Sequence, residues 1–151
     1  TSVRTEIAYK NQFPPEKASE DYYAWLTYSA SGAAFVYTPL TPTLYRIPQF
    51  TEGSASRSRE GGRHGFYITK CRVDTAGFKA ASALALKRKA ITPEQQEILQ
   101  VKFFLKEAET MGREKEFELA EQCYTQAVVL NKAVAAQILK ELGFEDRAWV
   151  T

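Results

Sequence analysis

The stretch Gly65-Phe-Tyr-Ile-Thr-Lys-Cys-Arg-Val73 decides the fold that the sequence predicts. Its residues alternate between two faces of an extended chain, starting with Phe66 on one face and Tyr67 on the other, which is the pattern of a β-strand. The residues before it, 53–65, include no large apolar side chain, so burial cannot offset the entropy lost on ordering them. We therefore expect a mobile basic loop over residues 53–65, followed by a strand.

Aromatic residues upstream of this loop predict the rest of a small sheet. The segments Tyr22–Tyr28, Ala33–Tyr37 and Leu44–Phe50 are rich in aromatic and β-branched residues, which suit the pleated surface of a strand. We expect Leu44–Phe50 and Phe66–Val73 to be the two arms of a hairpin, with the basic loop at its tip.

After residue 75 the pattern becomes helical. The sequence Thr92-Pro93-Glu94-Gln95 combines an N-cap residue, a proline at the first helical position and a glutamine that completes a capping box. Alanine and aromatic residues recur in the following helices and predict that these helices pack antiparallel to one another. The expected helices are Phe78–Lys89, one from Thr92 to Gly112, one from about Glu114, and one from about Ala133 to Gly143.

These elements predict an α+β fold in a single domain spanning residues 1–151. A small antiparallel, aromatic-rich sheet from the N-terminal half would pack with three to four helices from the C-terminal half. Residues 1–75 would be mainly β, and residues 76–151 mainly helical. The length of 151 residues and the 44% hydrophobic content are sufficient for one buried core.

The sequence also predicts the compartment. No apolar run approaches the roughly 18 residues of a membrane-spanning helix. The two cysteines, Cys71 and Cys123, cannot form a disulfide framework and suit reduced thiols. We therefore expect a cytoplasmic protein that does not associate with membranes.

The net charge of +2 conceals a strongly basic middle segment. Residues 53–90 contain nine basic and two acidic side chains, whereas residues 91–151 contain seven basic and eleven acidic ones. Such an asymmetry is informative about binding partners rather than about the fold.

The basic segment predicts a nucleic-acid-binding protein. Lysine and arginine contact phosphates, and aromatic side chains among them can stack on bases, which favours single-stranded DNA or RNA over a duplex. The helical half would then serve self-association or contact with a protein partner. The residues expected to contact nucleic acid are Arg57, Arg59, Arg63, His64, Tyr67, Lys70, Arg72, Lys79, Lys87, Arg88 and Lys89.

Two other functions stay open at this point. The acidic helical face 94–121 predicts a protein that binds or inhibits another protein. His64, the one histidine of the chain, could instead act as a general acid or base in a small nucleic-acid-processing enzyme, so catalytic residues stay unassigned. We expect neither a metal nor a cofactor, because Cys71 and Cys123 with a single histidine do not supply four zinc ligands.

Overall fold

The computed structural model describes residues 3–15, 20–36 and 62–150. The chain divides into two compact units, Thr1–Ala81 and Ser82–Thr151. The single domain predicted from the length stays a prediction. The helices in the described ranges are α1 (Thr5–Lys10), α2 (Glu20–Ala30), α3 (Gly62–Lys87), α4 (Pro93–Arg113), α5 (Phe117–Leu130) and α6 (Lys132–Leu142).

The predicted α+β fold is wrong, because the described ranges contain helices and no β-strand. Tyr22–Tyr28, predicted as a strand, lies within α2, and Gly65–Val73 lies within α3. In α3 the buried residues Val73, Gly77 and Ala81 follow one another at intervals of four, which is the spacing of one helix face. This longer helical period overrides the alternation seen over nine residues.

The predicted hairpin is wrong for the same reason, since its second arm is helical. Residues 62–65 of the predicted loop form the first turn of α3, and residues 53–61 lie outside the described residues. The other predicted arm, Leu44–Phe50, also lies outside them. Residues 33–36 of the predicted strand Ala33–Tyr37 have no regular secondary structure, and Tyr37 is not described.

In the first unit, α2 and α3 approach each other closely at Gly77. A Cβ atom at Gly77 would lie 2.9 Å from Cδ2 of Tyr23 and 3.1 Å from its Cα. A backbone atom at that distance cannot move aside as a flexible side chain can. The absence of a side chain at Gly77 is therefore what allows the two helices to meet there, beside the buried residues Ala24 and Val73.

In the second unit, the predicted start of α4 is confirmed. The hydroxyl of Thr92 accepts a hydrogen bond from the Gln95 backbone N–H at 3.2 Å, and the Gln95 side-chain oxygen accepts one from the Thr92 N–H at 2.9 Å. Pro93 is the first helical residue. These bonds satisfy donors that a helix start leaves without partners, so the local sequence is sufficient to fix this boundary.

The helices α4 and α5 are joined by residues 114–116, and a connection this short places them antiparallel. Ala108, Ala120 and Ala127 are fully buried, which lets the helix backbones approach closely. The helix α6 packs on both and ends at Gly143, as predicted, because φ at this glycine is +65°.

Candidate functional site

The solvent side of α3 in the first unit carries positive charge. Arg72 and Lys79 are both exposed. They are seven residues apart, so they lie on the same side of the helix, about 10.5 Å apart along its axis. The only acidic residue of α3 is Asp74, which is 1% exposed. The exposed side of this helix therefore includes two cations, while the one acidic residue of the same helix is buried.

The predicted nucleic-acid contact Lys70 has a different environment. Its ammonium group forms an ion pair with the buried carboxylate of Asp74, one helical turn further along α3. A buried carboxylate is costly unless it is paired, so this lysine stabilises Asp74 inside the unit. Once the segment is known to be helical, the spacing of four residues between opposite charges identifies the pair.

The first two turns of α3 hold three of the predicted residues. Arg63 and His64 are exposed. The guanidinium carbon of Arg63 lies 5.7 Å from the ring centroid of Tyr67, and the Tyr67 ring packs edge to face on Phe66 at 5.2 Å. Tyr67 is half-buried by these contacts, so a base could stack on it only by competing with Arg63.

The last predicted cations, Lys87, Arg88 and Lys89, lie in the second unit, where α3 ends, and all three are exposed. Lys89 adopts a left-handed backbone conformation with φ of 58°. The N–H of Lys89 donates a hydrogen bond to the Leu86 carbonyl at 2.9 Å. The N–H of Ala90 donates one to the Ala85 carbonyl, also at 2.9 Å. Glycine usually occupies this left-handed position at the end of a helix. A lysine in the same conformation lowers the stability by roughly 1 kcal/mol.

The structure thus brings some predicted residues together and separates others. Arg72 and Lys79 share one helix side, residues 87–89 form a compact basic turn, and Lys70 is engaged with Asp74. Arg57 and Arg59 lie outside the described residues. Only the helical register, which the strand prediction obscured, shows which of the cations share a side.

The acidic face 94–121 is smaller than its sequence suggests. Of its eight carboxylates, Glu107 and Glu109 are buried. Oε1 of Glu109 accepts a hydrogen bond from Nε of Arg113 at 2.8 Å, and Oε2 forms an ion pair with Nε of Arg147 at 3.1 Å. The pKa of the exposed Glu94 is lowered by hydrogen bonds from its own backbone N–H and from the Thr92 side chain. Several of these acids therefore have identifiable roles in the fold.

Neither cysteine forms a disulfide; Cys71 is half-buried and Cys123 is buried. No group of three histidine, cysteine, aspartate or glutamate side chains that could hold a metal ion occurs in residues 3–15, 20–36 and 62–150. None of the described helices has the length and apolar character needed to span a lipid bilayer.

Comparisons with protein-family models, with curated proteins and with solved structures found no match to this chain. Its function has to be inferred from the chemistry of the described residues.

Proposed function

We propose that this protein binds nucleic acid by contacting phosphates through its basic segment, residues 57–89. The observation that carries the proposal is the side of α3 that exposes Arg72 and Lys79. An ordinary solvated helix surface interleaves cations with carboxylates, often at a spacing of four residues. On α3 the one carboxylate, Asp74, is buried and forms an ion pair with Lys70, whereas Arg72 and Lys79 are exposed to solvent.

The spacing of the two cations suits a phosphate backbone. Phosphates of one strand in a duplex follow each other every 3.4 Å or so along the axis, and about 10.5 Å therefore corresponds to roughly three such intervals. Arginine adds a planar fork that binds phosphate oxygens in pairs. The basic turn 87–89 supplies three further exposed cations from the second unit.

Lys89 contributes an exposed cation from a left-handed backbone position. Glycine would adopt this conformation without strain, so Lys89→Gly separates the charge of the residue from the stability of its turn. The preference for single strands rests on aromatic side chains near the cations. Because Phe66, Tyr67 and Phe78 are half-buried, the proposal is supported by the exposed cations and not by these rings.

The experiment is a titration of the protein with a fluorescently labelled 15-nucleotide single strand and with the corresponding duplex, followed by anisotropy at several salt concentrations. We expect log affinity to fall linearly with log salt for both, since each phosphate contact releases counterions. Tighter binding of the single strand would support the predicted preference, and tighter binding of the duplex would reverse it. Absence of binding at low salt, or affinity independent of salt, would contradict the proposal.

A further inference from the structure

The first unit contains a cavity of about 520 Å³ between α1, α2 and the residues that follow α2. This volume falls within the range of about 300–1,000 Å³ that is typical of small-molecule sites. None of the basic residues described above lines this cavity. Its walls include three aromatic side chains, Trp25, Tyr28 and Phe35, and one charged side chain, Arg4.

The aromatic walls differ in how firmly they are held. Tyr28 is 2% exposed and packs edge to face with Trp25, with their ring centroids 5.7 Å apart, so both rings have defined positions. Phe35 is 58% exposed, although it lines the cavity. A large aromatic side chain in water gains free energy when another flat apolar surface covers it.

The polar groups of the cavity wall are available to a ligand. Arg4 is exposed and makes no ion pair with any residue in the described ranges. The backbone of residues 34–36 forms no hydrogen bond within those ranges either, whereas the N–H of Ala33 bonds to the Tyr28 carbonyl at 3.1 Å. The wall therefore combines flat apolar rings with backbone donors and acceptors and one cation.

We propose that this cavity binds one unstacked base of a single-stranded nucleic acid, with Arg4 contacting the adjoining phosphate. A nucleotide offers a flat base face to the rings, the polar edge of the base to the backbone of residues 34–36, and a phosphate to the cation. A paired base in a duplex could enter only after being unpaired and unstacked, which costs free energy that a single strand does not require. The inference rests on the proposed function and deepens it, because it names single strands as the ligand.

The test compares two 15-nucleotide strands: oligo-deoxythymidine, and an abasic strand with the same phosphates and no bases. We expect the deoxythymidine strand to bind at least about tenfold more tightly, with a similar salt slope, because base stacking is largely independent of salt. Equal affinities for the two strands would overturn the inference and leave phosphate binding by the basic segment intact. If neither strand binds, both the inference and the proposed function are wrong.

Variants locate the base-binding surface. Phe35→Ala should weaken binding of the deoxythymidine strand about tenfold and leave binding of the abasic strand unchanged. Arg4→Gln should lower the salt slope by about 0.7, the value for one phosphate contact on a single strand. The matched control is Phe13→Ala, because Phe13 is a phenylalanine of the same unit with similar exposure, 52%, and does not line the cavity.

The control variant decides between a specific and a general effect. If Phe13→Ala weakens binding as much as Phe35→Ala does, the cavity is not the base-binding surface. If Phe35→Ala leaves the affinity for deoxythymidine unchanged, the inference is likewise overturned. Circular dichroism of each variant checks that its helix content is that of the parent protein.

Discussion

The indole ring of Trp149 lies directly on Gly112 of α4. A Cβ atom at Gly112 would be 2.5 Å from Cδ1 of Trp149 and 2.7 Å from its Nε1. Trp149 is 2% exposed, and the ring centroids of Tyr124 and Phe144 lie 6.1 and 6.0 Å from that of Trp149. The residues after α6 therefore pack back against α4 and complete the core of the second unit. Gly112 is required by this contact.

Gly112→Ala should displace this tryptophan. Alanine favours a helix by about 1 kcal/mol over glycine, but a Cβ atom inside the indole contact costs about 1–3 kcal/mol. In a Trp25→Phe background, where Trp149 is the only tryptophan, we expect red-shifted fluorescence and a lower free energy of unfolding. In a Trp149→Ala background the same change should instead be stabilising. Unshifted emission with higher stability in the first background would contradict the contact.

Thr92→Ala should remove the cap of α4. The loss of the hydrogen bond to the Gln95 N–H should lower the free energy of unfolding by about 1 kcal/mol, measured by urea denaturation. The same hydroxyl lowers the pKa of Glu94 in the parent protein, so the variant should show a higher pKa for this carboxyl by NMR titration. Because the folded-state pKa is depressed, the stabilisation by Glu94 is present at neutral pH and lost as the pH falls through that value. An unchanged pKa of Glu94 in Thr92→Ala would contradict the contribution of the Thr92 hydroxyl to that pKa.

Lys70→Met should destabilise the first unit by about 3 kcal/mol, because it leaves the charge of Asp74 in the interior without its ion-pair partner. Replacing both residues, as Lys70→Met with Asp74→Leu, should recover most of that loss, since two apolar side chains need no pairing. Chemical denaturation of the three proteins gives the comparison. Equal stability of Lys70→Met and the parent would show that the ion pair contributes nothing.

Lys89→Gly should change stability and binding in opposite directions. Glycine adopts the left-handed conformation without strain, so the variant should be more stable by up to about 1 kcal/mol, yet it should bind nucleic acid less tightly. Lys115 is a matched control, because it is also exposed, also left-handed at φ of 64°, and lies outside the basic segment. Lys115→Gly should be similarly stabilised, with unchanged affinity. Equal loss of affinity in both variants would argue against a specific role for residue 89.

Local signals explain which parts of the fold could be predicted. The start of α4 at Thr92 and the end of α6 at Gly143 depend on bonds among neighbouring residues, and both predictions are confirmed. The prediction that Gly112 ends α4 was one residue short, because the helix continues to Arg113. Gly112 is required because Trp149 packs directly on it. Trp149 lies 37 residues further along the chain, so no local sequence pattern indicates this contact.

The predictions of strands at Tyr22–Tyr28 and Gly65–Val73 were wrong, because aromatic content and short alternation are weak evidence when a longer helical period is present. In α2 the buried residues Ala24, Thr27 and Tyr28 lie on one helix face, although the segment is rich in aromatic rings. The same error affected the candidate site. A strand would have placed Lys70 and Arg72 on one side, whereas the helix pairs Lys70 with the buried Asp74 and leaves Arg72 exposed.

The central claim is that Arg72 and Lys79 contact phosphates, and the salt dependence of binding tests it most directly. The double variant Arg72→Ala, Lys79→Ala is compared with Lys102→Ala, Lys106→Ala, which removes two exposed charges from α4 and changes the net charge equally. On a single strand we expect the slope of log affinity against log salt to become about 1.4 units shallower for the first pair and to stay unchanged for the second. If both pairs lower the slope equally, or neither does, these two residues of α3 do not bind phosphate.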